Sequence, residues 1–539
     1  MTVAQNTGVQ TGAAALVAAL EAHDVAVVFG LPGIHALPVW DALIGSPIRR
    51  IVVRHEQAAG FGAVGYARTS DRPGVYLTST GPGAFNSLAA LSEADASSTP
   101  VLHLTSQIPT DLVGAGRGYL HESRGQSQAF AAVSRFHARP ATPEALVAAV
   151  DEAFRQMALN PGPATIEVAT DVMAAVAEAA PARVTRVAAP APDPAAVARV
   201  RALIAAAEAP LIWAGGGARH AAAAVRALAE ALDAPVITTY NGKGVLPSAH
   251  PLHAGSSVEE AAMQRLVERS DLVLALGTRF SQEATANWGV PLPATIVQVD
   301  LDPGRFGRTF AVAEGVVADT GLFCTALLAD PPAAGGRDGE AAVRAALQGR
   351  SAEVGEQGAD AEVELMRVLS EALPDDAIVV ADMTVAAYWA ALYLDAKQPG
   401  GFVYPSSGAL GCGIPLALGT AAANPDRPTV VVCGDGGFLM AGHELLTARA
   451  EGLHFVVLVV NDSAYGILRN YQETLFGRTV AVELNAPDFA GLAAACEVRY
   501  LRAGGVGDLA GVLQTAVADR SGPVLVELQA ALRAPGQSV

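Results

Sequence analysis

Lysine is nearly absent: Lys243 and Lys397 are the only two in 539 residues, and arginine makes up the rest of a basic count of 35. Chemistry through a Schiff-base lysine therefore has just two places to reside. Acidic residues number 53, for a net charge of −18, which repels a phosphate backbone and argues against nucleic acid as a partner. Cysteine is equally scarce. Cys324, Cys412, Cys433 and Cys496 lie far apart, mostly inside apolar runs and without metal-ligand spacing, and read as reduced core residues. No stretch reaches the ~20 apolar residues that span a bilayer. The start, MTVAQNTGVQ, lacks the basic and apolar regions of a signal peptide, so a cytoplasmic protein with no membrane partner is expected.

What is abundant is aliphatic and small. Hydrophobic residues are 51% of the chain, with only 5% aromatic, 16% charged and 54 glycines, a balance suited to buried parallel strands covered by alanine-rich helices. The length exceeds the roughly 250–300 residues at which one core stops growing. Two segments read as linkers: the Pro/Ala-rich stretch from Ala180, and the stretch from Asp330 to about Glu362, which mixes PP, GG and scattered charge. They divide the chain into blocks 1–182, 190–332 and 360–539. Each alternates short apolar runs with stretches of helical length, which predicts α/β architecture with three doubly wound parallel sheets. The predicted strands are VAVVF, RRIVV, GVYLTST and PVLHLTS, then APLIWA, APVITT, DLVLALG and ATIVQVD, then AIVVAD, PTVVVCGD, HFVVLVVND and PVLVELQ. The first and third blocks share a layout of strand, glycine turn, helix and strand, which suggests two similar half-sites facing one ligand.

The third block carries the strongest chemical signal, Gly434-Asp435-Gly436-Gly437-Phe438 at a strand end, followed by a helix and a strand ending in Asn461-Asp462-Ser463-Ala464-Tyr465-Gly466. A glycine turn lets backbone N–H groups approach an anion, and a diphosphate fits there. The crossover can set Asp435 and Asp462 side by side, and paired hard oxygen ligands beside a diphosphate suit Mg²⁺. An ordinary glycine turn with an aspartate cap has the same local sequence, and the downstream NDSAYG is what separates the two readings. In the first block, Val53-Arg54-His55-Glu56-Gln57-Ala58-Ala59-Gly60-Phe61 places Glu56 at a helix start among small and apolar residues, a setting for a proton-donating carboxyl group. A helix-start carboxylate favoured by the macrodipole is the plainer alternative. A zinc-protease reading fails because position 59 is Ala rather than the second His of HExxH.

Together these segments resemble the thiamine diphosphate enzymes of the acetolactate synthase, pyruvate oxidase and benzoylformate decarboxylase group. The resemblance runs through FGLPGIHALPVWDAL, VRHEQAAGFGAVGYAR, TSTGPGAFNSLAAL, TSQIPTDLVG, ITTYNGKGVLPSAHPLHAG, GTRF, GALGCGIPLALG and GDGGF to NDSAYG, nearly the whole chain. It implies an N-terminal pyrimidine-binding domain, a central domain and a C-terminal diphosphate-binding domain. Thiamine diphosphate and Mg²⁺ are the implied cofactors. Glu56 would hydrogen-bond the aminopyrimidine, the Gly408 carbonyl would accept from its amino group, and Leu410 would be the aliphatic wedge that bends the cofactor. Asp435, Asp462 and the Ala464 carbonyl would hold Mg²⁺, with Thr384, Val385, Gly436, Gly437 and Phe438 at the diphosphate. The family usually has Asn where this chain has Asp462, which leaves Asn461 as an alternative ligand.

The implied reaction is cleavage of the C–C bond beside the carbonyl of a 2-oxo acid, followed by protonation or by ligation to a second carbonyl. There is no adjacent His-His pair of the pyruvate decarboxylase kind, and Tyr471 stands about where biosynthetic acetolactate synthases carry Trp. His35, His121, Gln107 and Tyr465 are the candidate catalytic groups near the substrate. The LPGIH turn with GRGYLHE resembles a subgroup that includes decarboxylases of 5-guanidino-2-oxopentanoate. AGGGA at 214–218 could receive FAD, as in several relatives, but it does not match GxGxxG, and a structural central domain is preferred. A flavin-containing oxidase of pyruvate oxidase type and a catalytically silent binding or regulatory subunit are the competing readings. The resemblance also implies a homodimer or homotetramer with sites between subunits.

Overall fold

The computed structural model describes residues 9–178, 184–332 and 338–536. The chain forms two compact units. One holds the described residues up to Ala188 together with Pro405–Pro425 and Ala441–His454; the other holds Ala189–Tyr404, Asp426–Met440 and the chain from Phe455 onward.

The first unit is built on a six-stranded, wholly parallel sheet in the order Arg49–Val52, Val27–Gly30, Gly74–Thr78, Val101–Gln107, Pro163–Ala169, Phe136–Ala138. Apolar side chains such as Val75, Leu77, Leu102, Leu104 and Ile166 meet Leu16, Leu20, Leu146 and Val150 of the helices Gly12–Ala22 and Pro143–Leu159 in one buried cluster. Strand residues here are buried on both faces, which is why they read as near-continuous apolar runs. Tyr76 and His103 stack with ring centroids 4.4 Å apart, and burial lowers the His103 pKa to about 3.

The helix Glu56–Ser70 contains Gly60, Gly62 and Gly65, each a cost of about 1 kcal/mol relative to alanine in a helix. Gly60 makes room for Ala90 and Gly62 for the Phe29 ring, while Gly65 allows close approach to the almost fully buried helix Gly413–Ala423. A Cβ on Gly65 would lie 2.0 Å from the Leu416 carbonyl oxygen, and one on Gly419 only 1.8 Å from that of Gly62. Backbone meets backbone at this crossing, so Gly419→Ala is expected to destabilise the unit by about 3 kcal/mol. An earlier thermal transition checks it; an unchanged melt would show that the crossing yields freely.

The second unit carries two further parallel sheets. The central sheet runs His253–Gly255, Val236–Thr238, Pro210–Ala214, Leu272–Leu276, Ile296–Asp300, Glu314–Val317. The last runs Phe402–Val403, Ile378–Ala381, Thr429–Gly434, Val456–Asn461, Val524–Gln529, Arg499–Ala503. Numbered within each sheet, the first and last share the order 2-1-3-4-6-5, whereas the central one is 3-2-1-4-5-6. The likeness of the first and third blocks thus extends to their whole sheets.

All twelve predicted runs form strands. Pro163–Ala169, PATIEVA, was not among them although it is fully buried inside the first sheet, because Thr165 and Glu167 interrupt its apolar character. The second linker is a correction: Asp338 caps a helix Gly339–Glu356 that buries Val343, Ala346 and Val354, and two of its charges are used in packing, Arg350 over the Tyr393 ring and Glu353 on the Ala262 amide. Residues 184–193 of the first linker have no helix or strand, while 179–183 fall outside the described residues. The four cysteines are thiols rather than disulfides, and all but Cys496 are buried. No helix among the described residues is long and apolar enough to cross a membrane.

Candidate active site

In open α/β sheets ligands bind beyond the carboxyl ends of the strands, where the strand order reverses. In the first sheet that point lies between Val27–Gly30 and Gly74–Thr78, and several of the predicted residues follow these strands and their neighbours. Glu56 opens its helix and is half-buried; its Oε2 accepts from Asn86 Nδ2 at 3.0 Å. A Cβ on Gly83 would lie 2.9 Å from Glu56 Oε1, so glycine at that position leaves the carboxylate its space. The junction before Glu56 is clamped by Glu444, wholly buried, whose carboxylate accepts from the amides of Arg54 at 3.0 Å and His55 at 3.1 Å.

A second buried carboxylate, Glu93, accepts from the amides of Ser406 at 2.9 Å and Ser407 at 2.8 Å, with Arg68 Nη1 3.6 Å away. It anchors the turn carrying Gly408 and Leu410, in which Gly408 (φ +74°) and Gly411 (φ +78°) adopt left-handed backbone. Gly408 is exposed and Leu410 half-buried.

His35 is 6% exposed, with Nε2 3.1 Å from the Leu120 carbonyl, and its ring meets that of His121 edge-on at 5.2 Å. Burial first, then His121, holds His35 below the usual imidazole range, which keeps it neutral near pH 7. His121 adopts a left-handed conformation (φ +66°), and its buried Nδ1 has no hydrogen-bond partner among the described residues. Gln107 is brought to the same end of the sheet but is turned into a buried network. Its Nε2 donates to Glu167 at 2.8 Å and its Oε1 accepts from the Ile108 amide, while Gln126 links Glu167 to the Gly81 amide. Both ends of the Gln107 amide are thus engaged in a network that reaches the Gly81 turn.

In the last sheet the order reverses between Ile378–Ala381 and Thr429–Gly434. Thr384 begins the helix Val385–Tyr393, and a Cβ on Gly434 would lie 2.9 Å from its hydroxyl. Gly437 faces the buried Asp382, at 3.2 Å from an added Cβ. The Tyr465 ring covers Gly436, where a Cβ would come within 2.6 Å of it, and Phe438 is buried edge-on to Phe489.

Asp435 is 1% exposed; Oδ1 accepts from the Gly436 amide at 2.9 Å, and the buried Oδ2 has no hydrogen-bond partner among the described residues. Asp462 Oδ1 accepts from the Ala464 amide at 3.2 Å. Burial pushes both carboxyl groups above their usual range, and for Asp435 the charge of Asp462 adds to it. Two desolvated carboxylates, one with an orphaned oxygen, fit a hard divalent cation. Asn461 is committed elsewhere: Nδ2 donates to Glu527 at 2.7 Å and Oδ1 accepts from Ser463. No group of three or more His, Cys, Asp or Glu among the described residues is arranged for a metal, so a cation here would draw on backbone and ligand oxygens as well.

The same unit holds a set of groups that, Tyr471 apart, the sequence did not single out. Tyr388, one turn into the helix after Thr384, and Tyr471, just beyond Ala464–Gly466, both have phenol pKa values raised by burial and by the charge of Glu283. Tyr404 Oη donates to Glu283 Oε1 at 3.4 Å, and Tyr240 Oη to its carbonyl at 3.0 Å. Glu259 is raised to about 7 by burial and by neighbouring Glu260. The available signals were the paired acids of SSVEEAA and the lone acid in FSQEATAN.

At the reversal point of the central sheet, backbone fills the space. The Gly217 amide donates to the Gly277 carbonyl at 3.1 Å, and a Cβ on Gly215 would lie 2.1 Å from that oxygen.

The chain belongs to the thiamine pyrophosphate enzyme family. Residues 10–130 match its N-terminal TPP binding domain, 197–327 its central domain and 382–528 its C-terminal TPP binding domain. Within that family it is an enzyme of the acetolactate synthase group. It is 36% identical over 501 residues to a Pseudomonas aeruginosa protein named "Probable 2-ketoarginine decarboxylase", covering 91% of this chain and 89% of the other. It is 30% identical to the acetolactate synthase large subunit of Corynebacterium glutamicum, over 86% and 77% of the two chains. Against the isozyme 1 large subunit of Escherichia coli the identity is also 30%, over 96% and 94%.

Proposed function

We propose that the protein is a Mg²⁺-dependent thiamine diphosphate decarboxylase of a 2-oxo acid that bears a cationic group, of guanidinium type, at its far end. The observation that carries this reading is Glu283, whose charge is felt by Tyr388 and Tyr471, each close in sequence to a turn assigned to the cofactor. Half-buried Glu259 adds a second acid in the same surroundings, since Tyr471 feels its charge too. A carboxylate among tyrosine rings suits a planar cation, which it meets through charge-assisted hydrogen bonds and ring faces. The 2-ketoarginine relative supports the same substrate class.

In this reading Asp435, Asp462 and the Ala464 carbonyl hold Mg²⁺, and Thr384, Val385, Gly436, Gly437 and Phe438 line the diphosphate. Glu56 binds the pyrimidine ring nitrogen and holds a proton there, with the Gly408 carbonyl and Leu410 orienting the same ring. Bound thiamine diphosphate supplies the electron sink that lets carbon dioxide leave. His121, with the neutral His35 ring packed against it, delivers the proton that completes simple decarboxylation, which favours that outcome over ligation to a second carbonyl. Gln107 and Tyr465 act by position, one beneath the Gly81 turn and the other over Gly436. In this reading the central domain is structural and FAD is not required, since AGGGA at 214–218 lacks the GxGxxG pattern. Sites lie between subunits of a homodimer or homotetramer.

Carbon dioxide release from a panel of 2-oxo acids, with and without an added aldehyde, tests the assignment. The guanidino acid is expected to be the best substrate. Glu283→Gln is expected to raise its KM about ten-fold, a loss of about 1.4 kcal/mol, while an uncharged 2-oxo acid is processed as before. Equal effects on both substrates would remove Glu283 from recognition.

A further inference from the structure

The two oxygens of Asp462 are used differently. Oδ1 accepts from the Ala464 amide, whereas Oδ2 accepts from Arg469 Nη2 at 2.7 Å. An asparagine at this position would present one acceptor and one donor; the carboxylate presents two acceptors and an extra negative charge. Arg469, seven residues on in the helix Gly466–Phe476, supplies both the missing donor and the opposite charge. Its side chain is 23% exposed, and its other terminal nitrogen lies 3.9 Å from Glu483. The approach depends on a glycine, because a Cβ on Gly466 would stand 2.5 Å from Asp462 Oδ2.

We propose that Arg469 is a resident counter-ion of the cation–diphosphate site, cancelling the second carboxylate so that Asp435 and Asp462 can share a divalent cation without repelling the anion beside it. The proposal rests on the reading of these two aspartates as cation ligands. Arg469 acts through Asp462 and is a positioning residue. Charge pairs screened only in part by solvent act strongly over such distances.

The test is thiamine diphosphate affinity, measured by titration calorimetry at saturating Mg²⁺, so that turnover plays no part. Arg469→Met is expected to weaken binding about ten-fold, and Arg469→Lys, which keeps the charge, by less than about three-fold. Asp462→Asn is expected to bind the cofactor about as tightly as the parent. The double variant regains the parent's net charge at this site and should bind about as tightly as the parent, so that Asp462→Asn rescues the loss caused by Arg469→Met. Should Arg469→Met fail to fold, the lysine variant and the double variant carry the comparison. Unchanged affinity in Arg469→Met, a lysine variant as weak as the methionine one, or a double variant as weak as Arg469→Met alone would overturn the counter-ion role while leaving the cation site standing. A parent protein whose thiamine diphosphate binding is indifferent to Mg²⁺ would overturn the cation site, and the counter-ion with it.

Discussion

Replacing Glu56 by glutamine is expected to lower decarboxylation by about 10²–10⁴-fold, the usual contribution of a positioned proton-transfer group. The amide keeps the shape of the carboxylate, and its oxygen can still accept from Asn86 Nδ2. What it loses is the capacity to hold and yield a proton. The clamp by Glu444 on the preceding amides is untouched, so the helix start stays in place. Two measurements check this: carbon dioxide release, and exchange of the thiazolium C2 proton of added cofactor for deuterium, followed by NMR. Both should fall together. Equal exchange in the parent and the variant would mark a silent relative of the family.

Asp435→Ala is expected to abolish Mg²⁺-dependent thiamine diphosphate binding, weakening it by at least 100-fold, or about 2.7 kcal/mol. The residue is 1% exposed, and its buried Oδ2, without a hydrogen-bond partner among the described residues, is suited to a cation. A ligand at 100 times its Kd stabilises the folded state by about 2.7 kcal/mol. The upward thermal shift produced by cofactor plus Mg²⁺ in the parent should therefore be absent from the variant, whose own melting is little changed. A variant that still shifts fully would move the cation elsewhere. The contrast with Asp462→Asn, for which cofactor affinity is expected to persist, separates the indispensable ligand from the replaceable one.

Much of this arrangement was legible in the chain because local pattern carried it. Twelve apolar runs form strands, and GDGG and NDSAYG sit at the ends of neighbouring strands, since register and crossover follow from apolar spacing and glycine turns. What escaped depends on contacts distant in sequence. Glu93 anchors amides 313 and 314 positions away, and Glu444 anchors others 389 and 390 positions away. Neither acid has a neighbour in the chain that announces its task. Glu283 escaped for a similar reason, its tyrosines coming from positions 240, 388, 404 and 471. The strand Pro163–Ala169 and the helix Gly339–Glu356 were missed because polar residues blurred a pattern that tertiary burial nonetheless uses.

The glycine-on-carbonyl crossing beneath Glu56 has a consequence for how this scaffold can be altered. Where backbone already meets backbone, Gly65 on Leu416 and Gly419 on Gly62, there is no gap left to fill, so on the proposed role of Glu56 tighter packing beneath it is not expected to raise the rate. New substrate scope has to be sought among the tyrosines and acids around Glu283, where exchanges alter recognition and leave the chassis intact.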